Sequence, residues 1–435
     1  MTRKKIFKKI ALTLSLSLLA PFLVANKVQA TETTQPSITA EAGITMDYDT
    51  GEVIFAKNAD DKMYLASTTK LMTALLFAEH NNKSDSIPYT QDAKAQPPYT
   101  LQSEKMAPAG KTLNVGDTMS ADVVMKSLLL YSANDSAYMI ADEVAGNSQA
   151  FVKMMNEKAA SLGLTDTHFE NPNGLPMNGV DVNYSTAYDL ALITKAAWEN
   201  DWIRETLELP DAMVTLPQNT TVKLENRNTE LGKNGNLGGK TGVTNMAGTC
   251  FAGVYEKDGK QYLGVVLKDD RNNDNARFVD LNKMMDYTED AEPEVYKSSG
   301  DEVGTADLEY KVFGFFGPTK TITAPITLNE NIYLYDNDIN NNDAKITVDS
   351  NETSAWKAAS SSDLSLTVSV KQYHTTVKGK VDISFFSLIK ANIGLYLALI
   401  AIIVIVVVLI LFIIKMISTR DRRRSSYNRK RRRRY

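Results

Sequence analysis

The chain has a single cysteine, Cys250, in 435 residues. No intrachain disulfide can form, so stability outside the cytoplasm must come from core burial, which this length permits. Cys250 lies in an apolar strand pattern and reads as a small core residue rather than a nucleophile. Histidine is nearly as scarce: His80, His168 and His374 are all there are. None has a paired ligand spacing, so no metal site and no cofactor are expected. A reactive serine would also need a base other than histidine. Basic residues are short in the body of the chain, where residues 31–414 hold 31 basic against 51 acidic side chains, a net of −20. A body this acidic excludes nucleic acid as a partner. Phosphate loops are missing as well. The first glycine such a loop requires would be residue 234 before Gly239-Lys240-Thr241 and residue 105 before Gly110-Lys111-Thr112, and these are Asn and Lys.

The missing cations lie at the two ends. Arg3, Lys4, Lys5, Lys8 and Lys9 precede an apolar run from Ile10 to Val24, and Val28-Gln29-Ala30 fits a small-residue cleavage site. Residues 1–30 therefore read as an export signal, with an uncleaved anchor as the alternative. From Ile393 to Ile414 run 22 uncharged, mostly apolar residues, enough to cross the hydrocarbon core as a helix. The segment 391–414 is expected to span the membrane. The tail 415–435 carries 11 cations and one acid, Asp421, the sign of a cytoplasmic end and suited to anionic lipid. The expected protein is membrane-anchored and single-pass, with its body outside the cytoplasm.

Between these ends the patterning changes once. Ile44 to Phe55 reads as two strands around the turn Asp49-Thr50-Gly51. Leu71, Met72, Leu75 and Leu76 recur at helical spacing, which places Ser67 at a helix N-terminus. Residues 81–119 read mostly as loop, broken by Pro88, Pro97 and Pro98. Further helices are expected from Ser120 to about Leu130, Asp135 to Ala145, Phe151 to Leu162, Thr186 to Asn200 and Arg277 to Tyr287. Gly248–Tyr255 and Tyr262–Lys268 alternate as strands joined at Asp258-Gly259. Strands at both ends with helices between them indicate an α/β or α+β domain over 31–290. Beyond it, short β-patterned runs separated by Gly, Asn, Asp and Ser indicate a small all-β domain over 291–388 with no clustered chemistry.

Three fragments carry chemistry: Ser67-Thr68-Thr69-Lys70, Ser132-Ala133-Asn134 and Lys240-Thr241-Gly242. Helical spacing puts Ser67 and Lys70 on one face, within reach of a hydrogen bond. An exposed lysine is protonated at neutral pH, but burial and a neighbouring cation lower its pKa, and Lys240 is the candidate neighbour. Ser132 offers a second hydroxyl to relay a proton, and Asn134 an amide to hold Lys70 or a substrate. Thr241 offers another hydroxyl, and Gly242 lets a substrate backbone approach a strand edge. Taken singly, Ser67 and Lys70 are as readily a helix cap and a solvated lysine, and the Lys-Thr-Gly fragment a turn entering a strand. The ordered trio is much more specific.

Together the fragments resemble the motif set of penicillin-binding proteins and class A β-lactamases. The likeness extends to Asn171-Pro172-Asn173-Gly174-Leu175, Ser185-Thr186-Ala187 and Arg277-Phe278. Over about residues 40–290 the chain is similar to D-alanyl-D-alanine carboxypeptidases, the low-molecular-mass penicillin-binding proteins. That resemblance implies a serine β-lactamase/transpeptidase-like domain, with a helical cluster and an antiparallel sheet. It implies peptidoglycan stem peptides ending in D-Ala-D-Ala as substrates and β-lactams as inhibitors. Ser67 would be the acyl-enzyme nucleophile and Lys70 its general base. Ser132 and Asn134 would assist proton transfer and position substrate, and Lys240 would support the electrostatics and the terminal carboxylate. The N–H groups of Ser67 and Val243 would form the oxyanion hole, and Arg277 would bind the free carboxylate. Val243 departs from the Thr or His usual at its position, which removes one carboxylate contact. DD-endopeptidase or transpeptidase activity on the same stems is the nearest alternative. A β-lactamase lacks a clear deacylating base, Glu170 being the one weak candidate, and an inactive wall-binding protein is opposed by the intact Ser67, Lys70 and Lys240.

Overall fold

The computed structural model describes residues 34–432, apart from 98, 104–105, 107–111, 349–353 and 362. The expected export segment, residues 1–30, lies outside the described residues. Strands β1 (Ala42–Asp47) and β2 (Val53–Lys57) form the first hairpin. Asp47 closes its turn, its carboxylate accepting from Thr50 N at 2.7 Å. Helices α1 (Lys70–His80), α2 (Asn134–Ala145) and α3 (Ala187–Trp198) follow. Strands β3 (Asn236–Thr244), β4 (Gly248–Lys257) and β5 (Lys260–Asp269) then return, followed by helix α4 (Ala276–Asp290). The five strands make one antiparallel sheet in the order β2-β1-β5-β4-β3.

Period-two alternation divides the sheet into two apolar faces. Phe251, Tyr255 and Val266 pack against Phe278, Leu281, Met284 and Met285 of α4. Ala252, Val254, Val265 and Leu267 face the helical cluster built on α1, α2 and α3. Helix α1 is the centre of that cluster, with every residue from Lys70 to Phe77 buried. The expected N-cap of α3 is present, Thr186 Oγ1 accepting from Asp189 N at 3.0 Å.

Before β3 the structure departs from the sequence expectation in three places. The helix starting at Ala121 remains α-helical only to Lys126, and Ser127–Tyr131 then widens into a π turn. A further helix, Asp201–Leu207, and a hairpin, Asp211–Leu216 with Thr220–Glu225, fill the stretch before β3. The region 81–119 contains a short strand pair, Ser86–Pro88 with Thr118–Ser120.

A second five-stranded antiparallel sheet follows α4. Its strands are β6 (Glu302–Lys311), β7 (Thr319–Leu328), β8 (Lys345–Val348), β9 (Leu364–Val370) and β10 (Tyr373–Val381), in the order β6-β7-β10-β9-β8. This region is β-rich but also holds three short helices, Asp338–Asp343, Ala355–Ser360 and Phe385–Ala391, which the pattern did not indicate. It meets the first sheet through Asn337 and Asn340, whose side-chain amides donate to Val53 O at 3.0 and 2.9 Å. Lys371 adds a 2.8 Å ion pair to Asp60. Helix α5 (Ile393–Arg432) ends the described chain. Its part from Ile393 to Arg423 is long and apolar enough to cross a membrane, and its apolar window has no buried residue.

Candidate active site

Ser67 sits on a turn that three separate segments hold in place. Ala66, just before it, has φ +47, a conformation unfavourable for a residue with a Cβ unless its surroundings enforce it. They do. Leu65 N donates to Asn183 O at 3.2 Å, and Thr68 Oγ1 donates back to Leu65 O at 2.7 Å. Gly242 on β3 passes so close that a Cβ there would lie 3.1 Å from Ser67 N. Gly174 passes closer still: with φ +79, a Cβ on it would stand 1.8 Å from Ala66 O.

The Gly174 contact yields a prediction. Gly174→Ala must displace either the nucleophile turn or the Asn171–Gly174 loop, whose Asn173 carbonyl binds Lys70. We expect loss of penicillin acylation together with an unfolding midpoint lower by several degrees. A variant acylated at the wild-type rate would show that this loop does not hold the site.

Lys70 is fully buried, and its Nζ lies 2.9 Å from each of Ser67 Oγ, Asn134 Oδ1 and Asn173 O. Burial lowers its pKa to about 7, with the Arg227 guanidinium adding to the effect and the Asp135 carboxylate opposing it. Asp135 is itself pushed up to about 7 by burial, against hydrogen bonds from Leu101 N and Tyr89. Arg227 thus joins the expected neighbour Lys240, whose repulsion with Lys70 is mutual. Lys240 is also buried and held well below its usual value, by burial first and then by Lys70, Arg227 and Arg277. Its Nζ donates to Thr241 O at 3.0 Å.

Ser132 follows the π turn in a left-handed conformation, φ 66. Its hydroxyl is buried and has no hydrogen-bond partner among the described residues. Arg277 is buried as well: Nη1 donates to Gly242 O at 3.1 Å, and Nη2 makes a long ion pair, 3.9 Å, with the exposed Asp274. Ser67, Ser132, Thr241, Gly242, Val243 and Arg277 all line one cavity of about 220 Å³. Lys70 and Asn134 lie behind it, in contact through Ser67. The structure therefore brings the three fragments together around Ser67, while Lys240 does not line the cavity and reaches Lys70 through charge.

It adds Arg227, which lines the same cavity and stacks 4.5 Å over the ring of Tyr99. Asn226 and Asn228 orient it: Asn226 Nδ2 donates to Leu209 O, and Asn228 Nδ2 to Asn236 Oδ1. The only sequence signal was one more cation in a polar, turn-rich stretch. Asn173 and Asn183 were also without an assigned role. The fragment holding Asn173 was visible, but a backbone acceptor for Lys70 has no side-chain signature. Glu170 is half-exposed, pairs with His168 at 2.6 Å and does not line the cavity.

The sequence profile of the D-alanyl-D-alanine carboxypeptidase family matches residues 29–271. The chain belongs to this family. It is similar to D-alanyl-D-alanine carboxypeptidase DacF of Bacillus subtilis, at 28% identity over 65% of this chain and 70% of the relative. A D-alanyl-D-alanine carboxypeptidase of Streptomyces sp. strain K15 is 32% identical over 59% of this chain and 90% of its own length. The solved D-alanyl-D-alanine carboxypeptidase of Mycobacterium tuberculosis superimposes with a TM-score of 0.53 at 26% identity, covering 60% of this chain and 95% of that one. The sheet β6–β10 and helix α5 lie beyond the part matched by the family profile.

Proposed function

We propose that this serine-type D-alanyl-D-alanine carboxypeptidase removes the terminal D-alanine from peptidoglycan stem pentapeptides through an acyl-enzyme on Ser67. The observation that carries the reading is the buried Lys70 Nζ, 2.9 Å from Ser67 Oγ beside a cavity lined by two guanidinium groups. Neutral Lys70 accepts the Ser67 proton through its lone pair as Oγ attacks the carbonyl carbon of the penultimate D-alanine. The N–H groups of Ser67 and Val243 receive the oxyanion. The proton taken up by Lys70 is returned to the leaving nitrogen, with the Ser132 hydroxyl as its relay once substrate is bound; the C–N bond breaks and D-alanine departs. Water then hydrolyses the ester. Asn134 holds Lys70 in line. Lys240, Thr241, Arg277 and Arg227 bind the terminal carboxylate, whose negative charge offsets the repulsion within this cationic cluster.

Charge favours the carboxypeptidase over the endopeptidase reading. Arg227 and Arg277 flank a small cavity suited to a free carboxylate rather than to a continuing cross-linked chain. β-Lactams would acylate Ser67 as mimics of the same dipeptide. The exposed position of Glu170 leaves the β-lactamase reading without its base. Residues 1–30 would export the chain, α5 would anchor it in the cell membrane, and its basic end would remain in the cytoplasm. Incubating the full chain with a stem pentapeptide should release free D-alanine. Cleavage confined to cross-linked dimers would transfer the assignment to an endopeptidase.

A further inference from the structure

Apolar side chains left exposed in one contiguous place need a covering partner. The turn between β6 and β7 carries Phe313, Phe315 and Phe316, and Phe315 is 84% exposed. The short helix Phe385–Ala391 adds Phe386, also 84% exposed, and Phe385, whose ring lies 5.7 Å from that of Trp356. Trp356 is tied to the same hairpin, its Nε1 donating to Lys311 O at 2.7 Å. Three segments distant in sequence thus build one aromatic cluster.

Helix α5 identifies what lies beside it. Tyr396, in the first turn of α5, packs edge-on against Phe313 at 5.2 Å and donates its hydroxyl to Val312 O at 2.5 Å. Asn392, just before α5, donates to the Tyr310 hydroxyl at 2.6 Å. The hairpin turn is therefore fixed at the level where α5 would enter the hydrocarbon. Aromatic rings at that level belong to the interfacial belt of membrane proteins. Lys311, Lys320 and Lys390 flank the cluster on the same segments and are exposed, as suits lipid phosphate; Glu309 is the nearest acid on β6. The opposite end of the sheet, the Val370–Tyr373 turn, meets the catalytic body through Lys371 and Gln372. β7 alone spans about 30 Å at the usual rise per residue.

We infer that Phe315, Phe316, Phe385 and Phe386 form a pad inserted into the outer-leaflet interface around the entry of α5, so that the second sheet stands on the bilayer as a fixed spacer. This rests on α5 spanning the membrane. A flexible tether would let the active site roam, whereas a bedded sheet holds it at a set height above the membrane.

Cys250, the one native thiol, is fully buried, so an introduced cysteine can be labelled selectively. Full-length Phe315→Cys, Phe386→Cys, Tyr333→Cys and Val404→Cys would each carry bimane and be reconstituted in phosphatidylcholine–phosphatidylglycerol vesicles. Penicillin labelling of each variant checks its folding. The 315 and 386 probes should be quenched several-fold more by nitroxide-bearing lipid than the 333 probe, and less by iodide. Iodide quenching equal to that at 333 would overturn the pad while the 404 probe still reports a spanning helix. Shielding from both quenchers would overturn it in favour of a protein partner. A 404 probe without lipid quenching would overturn the span and the pad together.

Discussion

Ser67→Ala will remove labelling of the full chain by a fluorescent penicillin and lower D-alanine release by about 10⁴-fold or more, the scale found for nucleophile deletion in serine hydrolases. The hydroxyl is the only atom lost. Lys70 Nζ keeps Asn134 Oδ1 and Asn173 O, and the turn keeps its Leu65, Asn183 and Gly174 contacts. The fold should survive, and the unfolding midpoint should move by no more than a few degrees. A labelled Ser67→Ala protein would remove Ser67 from the nucleophile role. Ser132 cannot replace it: its hydroxyl is buried beside the cavity without a partner, and Lys70 contacts Ser67 and not Ser132.

The parts of this site that were legible in the sequence share one property: each sits inside a short fragment that can be read locally. Ser67 and Lys70 are read from the helix that follows Ser67, and Lys240 from its Lys-Thr-Gly fragment, although the strand that carries it, Asn236–Thr244, had no pattern of its own. The β-rich region was legible for the same reason, since β8 and β9 begin and end where their alternation does. Arg227 was not legible, because its effect on Lys70 is a sum over space and its loop is positioned by asparagine amides. The π turn at Ser127–Tyr131 also left no mark, since its residues Ser-Leu-Leu-Leu-Tyr continue an ordinary helical pattern. That turn nevertheless gives Ser132 its left-handed backbone beside the cavity. The missed hairpin is different. Val222 and Leu224 alternate with exposed neighbours, so its signal was present but short.

The pH profile tests the base directly. Lys70 acts only when neutral, and its pKa of about 7 makes acylation slow below pH 7, rising through neutrality and flat above it. An unperturbed lysine would instead give a rate still climbing tenfold per unit at pH 9. The midpoint belongs to Lys70 and Asp135 jointly, since both titrate near 7 and each charge affects the other. Lys70→Arg keeps the cation and much of the stem but cannot lose its proton in this range. It should acylate slower by about 10³-fold or more across pH 6–9, with the rise through neutrality gone. Stopped-flow acylation by a chromogenic β-lactam measures both features. Persistence of the rise near pH 7 in Lys70→Arg would assign the titrating base elsewhere, with Asp135 the first group to test. If the profile flattens while penicillin still labels slowly, the proton acceptor is Lys70, and Arg227 is the side chain whose removal should shift the wild-type midpoint upward.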